Sequence, residues 1–135
     1  MATGIEKIEG IGPAYGEKLR GAGIKSVEDL LTKCGTRAGR DDVGGQTGIS
    51  EKLLLDWANM ADLMRIDGVG PEFAELLEAA GVDTVNELGN RNPHNLTVKL
   101  AETHATKGLT RAVPSEKQVE RWIEEARAMT PAVSH

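Results

Sequence analysis

The stretch IEGIGPAYGEKLRGAGIKSVEDL, residues 8–30, returns without a gap as IDGVGPEFAELLEAAGVDTVNEL, residues 66–88. Ten of the 23 aligned positions are identical, among them Gly10/Gly68, Gly12/Gly70, Pro13/Pro71, Leu19/Leu77 and Gly23/Gly81; most of the others are apolar or acidic exchanges such as Tyr15/Phe73 and Ile24/Val82. A second block, SEKLLLDWANMADLM at 50–64, matches SEKQVERWIEEARAM at 115–129 and keeps the Ser-Glu-Lys start, Trp57/Trp122, Ala61/Ala126 and Met64/Met129. The offset is 58 residues in the first block and 65 in the second, so the second copy holds seven extra residues in its middle. A repeat of this period governs the fold, because each copy must build the same local structure from the same pattern. The expected units are residues 1–65 and 66–130, with 131–135 as a flexible tail.

Each copy reads as helical. In copy one a short helix over 5–9 leads to Gly10-Ile11-Gly12, and Pro13, which has no amide hydrogen, suits the first position of the next helix. That helix runs to residue 21 or 22 and stops at Gly23. Ser26 caps a further short helix, with Asp29 three residues on in the capping-box position and Val27, Leu30 and Leu31 turned inward. A weak helix over 36–43 is expected to break at Gly44-Gly45. Ser50 caps a longer helix over 51–65, whose Leu53, Leu54, Trp57, Ala61 and Met64 fall on one face. Copy two repeats the plan: Pro71 starts a helix and Gly81 stops it, Thr84 caps 85–89, Asn92-Pro93 opens a helix to 107, and Ser115 caps the last one. No strand pattern of useful length appears, so the expected class is all-α with no sheet.

Composition sets the outer bounds. The chain has 135 residues, 39% hydrophobic and 27% charged, which suits a globular domain; with 3% aromatics and 16 glycines its core must be aliphatic, which argues against a large enzyme with a deep aromatic-lined pocket. No charge-free run approaches the roughly 20 residues of a membrane span, and the first residues lack a basic stretch followed by an apolar one. The expectation is a cytoplasmic protein with no membrane partner. Cys34, the one cysteine, cannot pair within the chain and reads as a small buried thiol.

The pattern Ile-x-Gly-h-Gly-Pro (h apolar), followed by an apolar residue, Leu and a closing Gly-h, resembles the helix-hairpin-helix motif in both copies, through Gly23-Ile24 and Gly81-Val82. With the linking TGISEKLLLDWANMADLMRI and the later ELGNRNP, the chain looks like a small bacterial family known only as a domain of unknown function, a resemblance that spans nearly the whole chain. It implies two fused, pseudo-symmetric helix-hairpin-helix units with SAM-like orthogonal helix packing. Related domains serve as non-specific DNA-binding modules in repair and recombination proteins, and the same unit recurs as a protein-protein module. Carried to this sequence, phosphate contact falls on backbone amides near Gly10, Ile11, Gly12 and Ala14, with a monovalent cation sometimes held by hairpin carbonyls.

Physical chemistry supports that assignment for copy one alone. A helix that opens just after a glycine turn directs free amide hydrogens and the positive end of its dipole outward, where phosphate binds without sequence being read. Lys7 precedes the first hairpin and Lys18 and Arg20 lie on the helix after it, within the only basic region: residues 7–40 hold seven bases against four acids. Copy two departs, since residues 66–88 hold six acids and no base, and Glu72 stands in the first turn where its carboxylate competes for the dipole site. The overall net charge of -5 weighs against a generic nucleic-acid binder and favours a protein partner for the acidic copy two, or a scaffold that has lost DNA binding.

Other chemistry finds little purchase. Trp57 and Trp122 sit at equivalent places on apolar stripes and read as core anchors rather than stacking platforms. His94 and His104 are ten residues apart, off the i, i+4 spacing of a metal pair. Glu116, Glu120, Glu124 and Glu125 read as a solvated face. No GK[ST] phosphate loop, GxSxG elbow or HExxH motif occurs. The reading is a non-enzyme without a resident metal.

Overall fold

The structure is a computed structural model and describes residues 4–108 and 111–134. Helix starts follow the small polar residues picked out by pattern. Backbone N–H groups of Asp29, Gly39, Leu53, Glu87, Asn95 and Gln118 donate to the side-chain oxygens of Ser26, Thr36, Ser50, Thr84, Asn92 and Ser115 respectively. Each cap supplies one of the acceptors that a helix N-terminus lacks. The elements are a 3₁₀ turn Ile5–Lys7, then α1 Pro13–Gly21, α2 Val27–Cys34, α3 Arg37–Thr47, α4 Glu51–Leu63, α5 Pro71–Ala79, α6 Val85–Gly89, α7 Pro93–Lys107 and α8 Glu116–Ala128. Among the described residues there is no strand, only a single bridge between Gly4 and Ser26, so the protein is all-α.

The chain divides into two compact units, Met1–Asp62 with Ala132–His135, and Leu63–Pro131. In the first, Ile5, Ile8, Ile11, Leu19, Ile24, Val27, Leu30, Leu54 and Trp57 are buried. Tyr15 packs edge-on against Trp57 with ring centroids 5.1 Å apart. The glycine turn explains itself here. Gly10 has φ of +94°, and a Cβ there would meet the Trp57 indole nitrogen at 3.4 Å, whereas Gly12 has an extended backbone with open space around it. Gly10→Ala is therefore expected to lower stability by about 1–2 kcal/mol, as left-handed backbone costs an L-residue, and Gly12→Ala by about 0.5 kcal/mol. Urea unfolding checks the ranking; equal effects would contradict it.

The second unit uses the same devices. Gly68 has φ of +88° beneath the Trp122 indole nitrogen, Val69 N–H donates to Ile66 C=O as Ile11 N–H does to Ile8 C=O, and Phe73 packs on Trp122 at 5.2 Å. Both post-hairpin helices end alike. Ile24 N–H reaches Leu19 C=O across Gly23, and Val82 N–H reaches Leu77 C=O across Gly81, the six-to-one bond that a left-handed glycine permits. On α8 the face of Val119, Trp122, Ile123 and Ala126 is buried, and Ser115 and Gln118 form a reciprocal capping box.

Three expectations need correction. The helix expected to break at Gly44-Gly45 continues through both to Thr47 and ends on Gly48, whose φ is +75°. Gly44 is needed for contact: a Cβ there would meet the Ile49 carbonyl oxygen at 3.2 Å and Leu54 at 3.8 Å. The helix over 51–65 stops earlier, at Leu63. The flexible tail also gives way to a docked segment over 132–134, while residue 135 lies outside the described residues. Val133 is buried, Ala132 N–H donates to the buried Asp62 carboxylate, and Ser134 N–H donates to Gly35 C=O.

That segment meets Arg40, the last of the seven bases in the 7–40 stretch, which the fold buries to 1% exposure. Its Nε donates to Glu51 at 2.8 Å, Nη1 to the carbonyls of Cys34 and Gly35, and Nη2 to the Ser134 carbonyl at 2.8 Å. A guanidinium suits this place because its planar fork can serve several acceptors at once. Cys34 is buried beside it, and burial pushes its thiol up to about 11, so it carries little thiolate.

Candidate nucleic-acid interface

Seven residues form the expected interface, and the structure separates the four hairpin residues from the three bases. Gly10, Gly12 and Ala14 are exposed around the turn into α1, and Ile11 between them is buried, so only its backbone can meet a ligand. Pro13 has no N–H, no side chain caps the helix, and the first turn contains no acid. No acid of α1 itself stands in that turn, where the helix dipole favours an anion, and the Glu6 side chain from the 3₁₀ turn lies against Gly16. Two hairpin carbonyls, those of Ile8 and Gly12, accept from Ile11 and Gly16 N–H.

Lys18 and Arg20 do not flank Gly12. Both lie in the last turn of α1, and six to eight residues at about 1.5 Å each place them about 9–12 Å along the axis from the hairpin. Arg20 pairs with Glu6 at 2.7 Å, and with Lys7 and Lys25 it borders a depression beside the 3₁₀ turn. Lys18 is exposed. The basic stretch therefore does not converge on the hairpin, and Arg40 is withdrawn from the surface altogether. The Asp29 carboxylate accepts from Lys25 N–H at 3.1 Å, and that bond chiefly holds its carboxyl below the ordinary 3.8.

The second hairpin has a different chemistry. Asp67 N–H donates to the Glu125 carboxylate at 2.9 Å, so an anion from α8 already occupies a backbone donor of the turn, and Glu72 adds a second carboxylate in the first turn of α5. In the repeat Glu125 corresponds to Met60, which offers no such group. Sequence reading found Glu72 and missed Glu125, which lies 58 residues from its partner; the signal was the tryptophan pair, since the helix that lays Trp122 over Gly68 also brings its neighbours to that turn. Asp67, Gly68, Gln118, Arg121, Trp122, Glu124 and Glu125 border an open depression there of about 480 Å³.

Among the described residues no group of three or more His, Cys, Asp or Glu could hold a metal ion, and no helix is long and apolar enough to cross a membrane. No curated protein and no solved structure matches the chain. The family model described as a domain of unknown function, DUF4332, matches residues 9–129, which takes in both glycine turns and both tryptophans. A match over that share of the sequence makes this chain a member of the DUF4332 family.

Proposed function

We propose that this protein is a non-catalytic binding module of two helix-hairpin-helix units, in which unit 1 engages the double-stranded DNA backbone weakly and without reading sequence, while the acidic unit 2 faces a protein. One contrast carries the reading. The turn into α1 is uncapped and free of acid in its first turn, whereas the corresponding turn of unit 2 is engaged by Glu125 and followed by Glu72. A phosphate is attracted to the first and repelled from the second by the same physics. Two to four phosphates are within reach of so small a surface, which corresponds to a dissociation constant on the order of 10⁻⁴ to 10⁻⁶ M and a slope of log affinity against log salt of about -2 to -4.

The repeat supplies the test, because Ala14 aligns with Glu72. Ala14→Glu makes the first hairpin resemble the second. In a fluorescence-anisotropy titration with a random duplex at low salt it should weaken binding about tenfold or more, with thermal stability kept or slightly raised by the carboxylate at the helix N-terminus. Glu72→Ala should change little. Absence of wild-type binding at low salt, or an Ala14→Glu variant that binds as well as wild type, would overturn the DNA reading. The protein-interaction scaffold, favoured by the net charge of -5, then takes its place.

A further inference from the structure

Away from the hairpin, beside the 3₁₀ turn, unit 1 has a depression of about 280 Å³ lined by Gly4, Ile5, Glu6, Lys7, Arg20 and Lys25. Three cations reach it from three separate pieces of chain: the 3₁₀ turn, the last turn of α1 and the loop into α2. Among the lining residues one carboxylate, Glu6, opposes them, which leaves a formal charge of +2 on the lining itself. The backbone beneath is held together, since Ile5 N–H donates to Lys25 C=O at 3.2 Å, Gly4 bridges Ser26, and Lys25 N–H is tied to Asp29. The last carbonyls of α1 add little repulsion, because those of Lys18, Leu19 and Arg20 already accept from Ala22, Gly23 and Ile24 N–H.

The repeat shows that the fold does not require this charge. Fifty-eight residues on, Arg20 and Lys25 correspond to Glu78 and Asp83, and Glu6 corresponds to Met64, while only Lys7 keeps a base, Arg65. Arg65 is turned to the Thr130 carbonyl at 3.1 Å. Two copies with the same glycine turns thus carry opposite charge at these positions.

We propose that the depression binds a phosphate monoester, at a place separate from the hairpin. A monoester carries close to two negative charges at neutral pH, matching the +2 of the site, whereas a backbone diester carries one. Arg20 supplies a planar fork for two phosphate oxygens, and Lys7 and Lys25 supply point charges beside it. The Arg20–Glu6 pair is about half exposed on both sides, and an ion pair so placed is readily exchanged for one with a stronger anion. The phosphate can come from the 5′ end of a nucleic-acid strand or from a small phosphorylated molecule.

Amide-resolved NMR of the full chain with inorganic phosphate, taken to roughly 50 mM so that millimolar affinity registers, tests the site. Saturable shifts are expected at Gly4, Ile5, Lys25 and Ser26, and they should persist in the Ala14→Glu variant, in which any phosphate response of the hairpin amides is suppressed. Lys25→Gln, an exposed residue outside the hairpin, should weaken binding about tenfold, as loss of one charge-assisted contact does, with unchanged thermal unfolding. Two oligonucleotides of one sequence, with and without a 5′ phosphate, distinguish the sources: tighter binding of the phosphorylated strand supports a nucleic-acid end, and equal binding alongside phosphate-ion binding supports a small molecule. No saturable shift, or a Lys25→Gln variant equal to wild type, overturns the proposal. Because the hairpin reading rests on Ala14→Glu and this one on Lys25→Gln, either can fail without the other.

Discussion

Arg40→Ala is expected to lower folding stability by about 3 kcal/mol, more than any other exchange of a charged residue on unit 1. The substitution leaves the carbonyls of Cys34, Gly35 and Ser134 without the donor they share, and opens a space in a region where Arg40 is 1% exposed. Glu51 contributes less to the loss, since its side chain is 41% exposed and water replaces the lost partner. With a urea slope of roughly 2 kcal/mol per molar, the midpoint should fall by about 1.5 M. Arg40→Lys keeps the charge and still loses much of the stability, because one ammonium cannot serve acceptors spread around a planar fork. A midpoint within experimental scatter of wild type for Arg40→Ala would show that these bonds hold nothing together.

Trp57→Ala is expected to cost about 3–5 kcal/mol, the range for deleting a large buried aromatic side chain. Trp57 is 2% exposed, packs against Tyr15, and roofs the glycine turn on which the proposed interface is built. The loss should therefore couple to the turn. Gly10→Ala added to Trp57→Ala should cost less than it does in wild type, because the indole that its Cβ would meet is gone, and the left-handed torsion alone remains to be paid in strain. Denaturant unfolding of the two single variants and the double variant measures that coupling. Strict additivity would mean that Trp57 and Gly10 do not constrain one another.

These two residues also mark what could be read from the chain before its structure. Trp57 was legible: it falls on an apolar stripe, recurs at Trp122, and both are buried. The caps at Ser26, Ser50, Thr84, Asn92 and Ser115 were legible for a local reason, since a cap and its amide lie three residues apart. Arg40 was not. A base in a glycine-rich helix looks solvated, and what buries it includes Ser134, 94 residues away. The same limit hid Val133, a lone apolar residue in a polar tail, and the docking of 132–134. At Gly44-Gly45 the helix continues against propensity, and only Gly44 is crowded, by the Ile49 carbonyl oxygen; Gly45 has open space around it.

The candidate site divides in the same way. Gly10, Ile11, Gly12 and Ala14 were legible as a turn followed by a helix start, because every determinant lies within a few residues. The placement of Lys18 and Arg20 was not, since proximity in sequence becomes distance along a helix axis, and Arg20 pairs back to Glu6. Glu125 at the second hairpin needed the packing of α8 to be seen, and it is that carboxylate, together with Glu72, that separates the two hairpins chemically.

The difference between the hairpins can be measured residue by residue. In amide-resolved NMR of the wild-type chain titrated with a random duplex at low salt, the account predicts progressive shifts of the Gly10, Gly12 and Ala14 amides that reverse on addition of salt, with Gly68, Gly70 and Glu72 unmoved. Equal shifts at both hairpins, shifts confined to the second, or none at either would contradict it.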